Sequence, residues 1–245
     1  MFLELAEVLD CPDCGASAGL VTFVDRAASR RVVEGRLGCP LCEIEVPIRR
    51  GTMRFDLSNA ERRTAPGAGT ARPAAPPREA TTAPAGPAGE AAQEAALRLA
   101  ALLGVSDRAG MAVLLGPRLA VYAPAIARLG DRLEVLAWLP EAGDRSVPAA
   151  VAIEDLVVGV DPLVGAAPDR WPIRSGALHG IALRAPMALQ LSEITRCARP
   201  GARLVVETPT PPDLDSLAAS EFSEVASDRT AWVGERHQTI AGNLP

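Results

Sequence analysis

The sequence predicts an α/β protein in which a small β unit precedes a three-layer α/β domain. Two Cys-x-x-Cys pairs near the start, a following stretch without large apolar residues, and a later alternation of strand-like and helix-like patterns predict this architecture. A chain of 245 residues is long enough for a small module joined to a medium-sized domain. We predict a first domain at 1–56, a linker at 57–89, a second domain at 90–237 and a tail at 238–245.

Four cysteines near the start have the spacing of a structural zinc site. Cys11 and Cys14 form one pair, Cys39 and Cys42 form the other, and 24 residues separate the pairs. Two residues between cysteines allow a tight turn that brings both sulfurs to one metal, and Gly15 can supply the positive φ of such a turn. Because four thiolates fill a tetrahedron, we expect a structural zinc ion without a catalytic position. Two redox-active pairs would need a βαβ context, which is absent here.

Three strands are predicted around the cysteine pairs, at 20–25, 30–39 and 43–48. The last of these alternates acidic and aliphatic residues, which is the period of a half-buried strand. A three-stranded unit of about 55 residues buries little apolar surface, so metal binding must supply much of its folding free energy.

The stretch 58–89 has the composition of a flexible linker. Its 32 residues include 10 Ala, 6 Pro and 4 Gly, and they contain no Val, Ile, Leu, Met or aromatic residue. Such a stretch cannot offset its ordering entropy by burying apolar surface. We therefore expect two separable units joined by a partly extended segment.

Charge and hydropathy exclude two classes of protein. The net charge is −5 and basic residues cluster only in short pairs, so a surface for nucleic acid is not expected. The first ten residues carry acidic side chains and no basic one, unlike a signal peptide, and no apolar run approaches the roughly 18 residues of a membrane span. We expect a soluble cytoplasmic protein, in which paired cysteines bind metal.

Three motifs in residues 1–56 occur in a characteristic order. They are Phe-Leu-Glu-Leu at 2–5, Cys-Pro-Asp-Cys-Gly at 11–15 and Val-Pro-Ile-Arg-Arg-Gly-Thr-Met at 46–53. This set resembles the small zinc-ribbon proteins that activate methyltransferases by binding to them. The resemblance implies a methyltransferase partner, either the second domain of this chain or a separate protein. It also implies docking by sheet extension through 43–48 and by apolar contacts of Met53 and Phe55.

Helix-like and strand-like patterns alternate from residue 90 onward. A helical pattern places Ala and Leu on one face up to residue 103, and Gly104 follows as a stop signal. Further helices are predicted at 119–129 and 186–198, and strands at 111–116, 133–139, 156–160, 178–183 and 203–207. This alternation predicts βαβ units and a largely parallel sheet.

Three segments late in the chain also follow a characteristic order. Residues 170–183 lead through Trp-Pro-Ile into a strand, 191–209 read as helix, Arg-Pro-Gly turn and strand, and 221–236 read as a hairpin. They resemble the fourth strand, the fifth strand and the closing hairpin of class I S-adenosylmethionine-dependent methyltransferases. The resemblance implies a Rossmann-like domain and, in an active enzyme, S-adenosylmethionine as the cofactor.

The turn after the first strand of this domain lacks the glycines that a working cofactor site needs. Residues 114–120 read Leu-Leu-Gly-Pro-Arg-Leu-Ala, so Gly116 is the one glycine and Pro117 has no N–H to donate. Leu119 and Ala120 carry side chains where bare backbone is expected, and we predict that these side chains occupy ligand space.

The acidic residue that should follow the second strand is displaced. Glu141 lies beyond Trp138-Leu139-Pro140, and Asp161 lies too far along the chain for the end of a second strand. We therefore predict no catalytic residue and no residue that binds S-adenosylmethionine.

Six further residues have reactive or aromatic side chains, and each has a structural interpretation. His179 is interpreted as a strand-end residue, with a catalytic role as the alternative, and His237 as a solvated residue. Cys197 is interpreted as a small buried apolar residue. The tryptophans are interpreted as core or pocket residues: Trp138, Trp171 and Trp232.

Three functions are compatible with these observations. The leading interpretation is a non-catalytic scaffold or regulatory subunit, in which an activator-like ribbon is joined to a degenerate methyltransferase-like domain. An active methyltransferase with an atypical cofactor turn is the enzyme alternative. A nucleic-acid-binding ribbon is the third, and the weak basic clustering of residues 1–56 counts against it.

Overall fold

The structure is a computed structural model that describes residues 1, 3–15, 18–28, 31–55, 87–105, 110–129, 133–139, 160–164, 170–185 and 190–237. Its strands are β1 (Val21–Ala28), β2 (Arg31–Gly38), β3 (Glu45–Arg49), β4 (Thr52–Arg54), β5 (Gly110–Leu115), β6 (Leu133–Leu139), β7 (Val160–Val164), β8 (Leu178–Arg184), β9 (Ala198–Glu207), β10 (Phe222–Ser227) and β11 (Ala231–Arg236). Its helices are α1 (Pro87–Leu103), α2 (Pro117–Ala120), α3 (Ala123–Ala127), α4 (Leu191–Cys197) and α5 (Pro211–Ala218), and a 3₁₀ helix spans Leu3–Glu7. The tail at 238–245, most of the predicted linker and Glu141 lie outside the described residues.

The first four strands form an antiparallel meander. β1, β2 and β3 are the three strands that the alternation of residue types predicts. β4 was not predicted, and it follows β3 after only two residues, Arg50 and Gly51. Their φ angles are 50° and 76°, and positive φ at both central residues is typical of the type I′ hairpin turn, which favours glycine at the second position. The Arg-Gly pair was the available signal for this turn.

β4 joins the N-terminal strands to the parallel strands. Met53 and Arg54 pair in parallel with Leu163 and Val164 of β7. The described strands therefore form one sheet in the order β1-β2-β3-β4-β7-β6-β5-β8-β9-β11-β10. Strands β7, β6, β5, β8 and β9 are parallel, whereas β11 and β10 close the sheet in antiparallel pairing. The predicted α/β fold with a largely parallel sheet is confirmed.

Apolar layers cover both faces of the parallel strands. Ala112 and Leu114 of β5 lie in one buried cluster with residues of α1, α2 and α3. Val113 lies in the opposite cluster, as expected for side chains that alternate along a strand. This second cluster also holds residues of α4, α5 and the N-terminal strands, including Leu9, Leu37, Met53, Trp138, Trp171, Ile194, Cys197, Leu204 and Leu217. The N-terminal residues therefore share a core with the parallel sheet. No helix in the described part of the chain is long and apolar enough to cross a bilayer.

The predicted helix at 119–129 is divided into α2 and α3. Val121 and Tyr122 form a turn between the two helices, and Pro124 lies in the first turn of α3. Proline at that position cannot donate a hydrogen bond to Ala120 and its ring crowds the preceding turn, so one continuous helix is excluded.

The predicted helix at 186–198 ends at Cys197, and β9 begins at Ala198, five residues earlier than predicted. Pro200 and Gly201 consequently lie inside the strand and do not form the turn before it. Proline disfavours helical geometry at the preceding residue, Arg199, which explains the early change to an extended backbone. The helix α5 was missed, although Thr210 and Asp213 form a capping box at its start, with the Thr210 N–H donating to Asp213 Oδ2 at 2.8 Å.

Replacing Met53 by Ala should lower the free energy of unfolding by about 2–4 kcal/mol. Met53 is completely buried where β4 meets β7, so the shortened side chain leaves a cavity in the shared core. Leu41→Ala is the matched control, because Leu41 is 68% exposed and its truncation should change stability by less than about 0.5 kcal/mol. Urea unfolding of both variants measures the difference, and equal stabilities would show that Met53 does not contribute to a core.

Candidate metal centre and the carboxyl edge of the sheet

The four N-terminal cysteines converge on one point. Their Sγ atoms all lie within 4.8 Å of one another. Cys11 Sγ is 3.5 Å from Cys42 Sγ, and Cys14 Sγ is 3.7 Å from Cys39 Sγ. Four sulfurs that each bind one zinc ion at about 2.3 Å lie about 3.8 Å apart in a regular tetrahedron. The donor set thus fits a single zinc ion, and the thiols are free of disulfide bonds.

The two cysteine pairs have the same backbone form. The N–H of Gly15 donates to the Cys11 carbonyl at 3.0 Å, and the N–H of Glu43 donates to the Cys39 carbonyl at 3.1 Å. The residues after each pair are left-handed, with φ of 65° at Gly15 and 59° at Glu43. The positive φ predicted for Gly15 is confirmed. Glu43 adopts the same conformation without being glycine, which costs backbone energy that the converging sulfurs can offset.

Burial and backbone hydrogen bonds move the thiol pKa values in opposite directions. Desolvation raises the pKa of Cys11 far above its usual range, and desolvation also raises the pKa of Cys42. At Cys39 desolvation is outweighed by hydrogen bonds from the backbone of Cys42 and Leu41, which lower its pKa to about 7. The Leu41 N–H lies 3.5 Å from Cys39 Sγ. Any metal bound here must displace protons from at least two of these thiols near neutral pH.

The turn after β5 is where the methyltransferase resemblance would place a cofactor. Gly116 has φ of 93° and ψ of 159°, a conformation that requires glycine, and its N–H donates to the Trp138 carbonyl at 2.8 Å. The prediction that Leu119 and Ala120 occupy ligand space is wrong. Both side chains are fully buried in the core beneath α1 and α3, because the short helix α2 turns them toward the sheet.

The carboxyl ends of β5 and β6 lie side by side and present no carboxylate among the described residues. β5 ends at the buried Leu115, and β6 ends just after Trp138, whose ring lies 5.2 Å from that of Trp171 at an interplanar angle of 65°. Asp161 is the second residue of β7, so it lies toward the amino end of that strand and not at the carboxyl edge.

His179 lies at the opposite edge of the sheet from the cofactor turn. It is the second residue of β8, its Nδ1 accepts a hydrogen bond from the Met111 N–H at 3.3 Å, and its Nε2 contacts Arg199. Its position is that of a strand-end residue with backbone and side-chain partners. The exposed His237 contacts Ser223 on β10.

Cys197 and the tryptophans occupy the core, as predicted. Cys197 is fully buried, and desolvation raises its pKa to about 12, so the thiol stays protonated and unreactive. All three tryptophans are buried. Trp171 Nε1 donates to Gln190 Oε1 at 2.6 Å, and Trp232 Nε1 donates to Glu224 Oε2 at 3.0 Å.

A cluster of charged residues beside the first cysteine pair was not predicted. The Asp10 side chain is 2% exposed, and Arg170, Arg174 and Arg196 surround its carboxylate. About 160 residues of sequence separate the aspartate from the first of these arginines, so no local pattern could have indicated the contact.

Comparison with known proteins identifies similar folds and no relative in sequence. No protein-family model matches the chain, and no curated protein matches it significantly. The resemblance of residues 1–56 to the activator family therefore stays a prediction.

Similar solved structures include several methyltransferases. A methyltransferase from Geobacter sulfurreducens is 15% identical, covering 64% of this chain and 92% of that one, with a TM-score of 0.46. A SAM-dependent O-methyltransferase from Thermotoga maritima is 12% identical over 61% and 67% of the two chains, with a TM-score of 0.47. A SAM-dependent methyltransferase from Aquifex aeolicus is 17% identical over 58% and 87%, with a TM-score of 0.41.

The purified protein should contain one zinc ion per chain, and Cys42→Ser should lose it because three thiolates leave the tetrahedron incomplete. Cys197→Ser is the matched control: it removes one thiol that does not belong to the cluster, and a serine hydroxyl can still donate to the Ile173 carbonyl that Cys197 Sγ contacts at 3.5 Å. Elemental analysis of the three proteins gives the stoichiometry. One zinc per chain in Cys42→Ser would show that the four-thiolate assignment is wrong.

The apparent zinc affinity should fall steeply as the pH falls. Because the pKa values of Cys11 and Cys42 are raised, at least two protons must leave on binding at pH 7, and Cys39 adds a third below its pKa of about 7. Two released protons weaken the affinity by about 100-fold for each unit of pH. Competition with a chromophoric chelator at several pH values between about 6 and 8 measures how the zinc affinity depends on pH. An affinity independent of pH would contradict thiol ligation.

Proposed function

We propose that this chain is a non-catalytic protein with a methyltransferase-like fold, a scaffold or regulatory subunit that acts through contacts with other proteins. The observation that carries the proposal is the carboxyl edge of β5 and β6. In an open parallel sheet, ligands bind in the crevice outside the carboxyl ends of the strands where the strand order reverses. That point lies between β5 and β8, since β6 and β7 follow on one side and β8 and β9 on the other.

S-adenosylmethionine has an ammonium group and a ribose diol, and both bind best to carboxylates. Leu115 ends β5 and the buried Trp138 precedes the last residue of β6, so the described residues at these two strand ends offer no carboxylate to such a ligand. Pro117 has no N–H, and the Gly116 N–H is already bonded to Trp138. Since uncompensated burial of a charged or polar group is costly, this edge disfavours the cofactor.

Support for a role in protein contacts comes from exposed apolar residues of the N-terminal strands, and not from the residues that the activator resemblance assigns to partner binding. Residue Met53, which the activator resemblance assigns to partner binding, is buried against the parallel sheet, and Phe55 packs on the same core. β3 is paired on both sides, by β2 and β4. A second protein would therefore have to bind elsewhere on the ribbon, where Val21, Phe23 and Leu41 are exposed on β1 and the second cysteine turn.

The enzyme alternative has one specific observation in its favour. Gly116 keeps a conformation that only glycine adopts readily, at the end of the strand where a cofactor turn belongs. An active S-adenosylmethionine-dependent methyltransferase is therefore the outcome against which the proposal is tested.

Full-length protein should bind S-adenosylmethionine with a dissociation constant above about 100 µM in titration calorimetry. The loss of two hydrogen bonds to charged groups, each worth about 1.5–3 kcal/mol, weakens a micromolar site by about 100-fold or more. The same sample must contain stoichiometric zinc and unfold cooperatively, which excludes a misfolded preparation. A dissociation constant in the low micromolar range would overturn the proposal and favour an active enzyme.

A further inference from the structure

A buried ion-pair cluster connects the first cysteine pair to the segment before β8 and to α4. Asp10 immediately precedes Cys11 in the sequence, and its side chain is 2% exposed. Its carboxylate oxygens lie 3.4 Å from Arg170 Nη2, 3.7 Å from Arg196 Nη1 and 3.8 Å from Arg174 Nε. A buried carboxylate needs such partners. The side chain of Arg196 is 20% exposed and also pairs with Glu193 Oε2 at 2.7 Å.

Backbone hydrogen bonds hold the same two segments together. The Asp10 N–H donates to the Pro172 carbonyl at 3.3 Å, and the Arg174 N–H donates to the Val8 carbonyl at 2.8 Å. Gly15 directly follows Cys14, and a Cβ added to Gly15 would lie 3.4 Å from the guanidinium carbon of Arg170. Residues 170–176, which we term the clamp segment, therefore lie directly on the first cysteine pair.

The clamp segment is also tied to α4 and to the end of β6. Arg196 donates to the Trp171 carbonyl at 2.9 Å and to the Ile173 carbonyl at 2.8 Å. The Trp171 N–H donates to Glu193 Oε2 at 2.8 Å, and the Trp171 ring packs on Trp138. A continuous set of contacts thus leads from Cys11 to the carboxyl edge of the sheet.

We propose that Asp10 is a positioning residue that couples metal binding by the four cysteines to the order of the clamp segment. Ligation of Cys11 fixes the backbone that holds Asp10 in its buried position, and Asp10 holds the three arginines. When the cysteine turn loses its ligated form, Asp10 leaves the cluster, and the clamp segment and Trp171 lose their attachment to the N-terminal strands. This coupling does not depend on whether the carboxyl edge binds a cofactor.

Hydrogen exchange on the full-length protein tests the coupling. Removal of zinc with a chelator should raise amide exchange across 171–176 by about tenfold or more, while 111–115 and 204–206 in the central strands keep their rates. Tryptophan emission should shift to the red, because Trp171 becomes exposed. Asp10→Asn should bind one zinc per chain and still show the raised exchange in 171–176, since the neutral amide no longer attracts the guanidinium groups of the clamp segment.

Asp13→Asn is the matched control, because Asp13 lies in the same cysteine turn and is exposed. Amide exchange across 171–176 in this variant should match that of the wild-type protein. Unchanged exchange in 171–176 after zinc removal would overturn the proposal. A uniform rise that includes 204–206 would also overturn it, because it would show global unfolding and not a local release. If Asp10→Asn fails to fold, the exchange rates of wild-type protein with and without zinc still test the coupling.

Discussion

Two residues of β4 pair in parallel with β7, and much of the remaining architecture depends on this contact. It places the N-terminal strands at the edge of the parallel sheet, where Met53 turns into the same apolar cluster as Val113 and Trp138. A unit of about 55 residues buries little apolar surface and is marginally stable by itself. Here its core continues into the apolar cluster of the parallel sheet, and burial against the sheet stabilises it. Ligation of a metal by the four cysteines would add to this stability.

The same contact explains how the cysteine cluster and the sheet come to be neighbours. With β4 beside β7, the loop that carries Cys11 and Cys14 lies over the segment that enters β8. The result is the juxtaposition of Asp10 with Arg170, Arg174 and Arg196. In the second cysteine pair, Leu41 between the two cysteines is largely exposed, whereas Cys39 is buried. The first cysteine turn is thus part of an internal contact.

Local sequence patterns predicted most of the fold and the cysteine cluster, because both depend on short-range chemistry. The Cys-x-x-Cys spacing alone predicted that the four cysteines share one site: Cys11, Cys14, Cys39 and Cys42. The alternation of residue types predicted the bounds of β5, β6 and β8 to within one residue. The misses have two causes. Proline effects at Pro124 and Pro200 override helical patterns that hydropathy alone supports.

The other cause is tertiary contact. Side chains such as Leu119 and Asp10 take their positions from packing and charge partners that are distant in sequence. The turn after β5 is an example. Its residues show that the glycine pattern is missing, but they do not show the direction in which the Leu119 side chain points.

The pairing between β4 and β7 consists of two registered residue pairs. A strand pairing of this length buries far less surface than an interface between two independent proteins. Both strands belong to one polypeptide, and the chain between Arg54 and Pro87 converts their association into an intramolecular step. Tethering of this kind supplies an effective concentration that can reach the millimolar range. The fused ribbon would therefore outcompete a separate protein that approached the same strand edge with similar contacts.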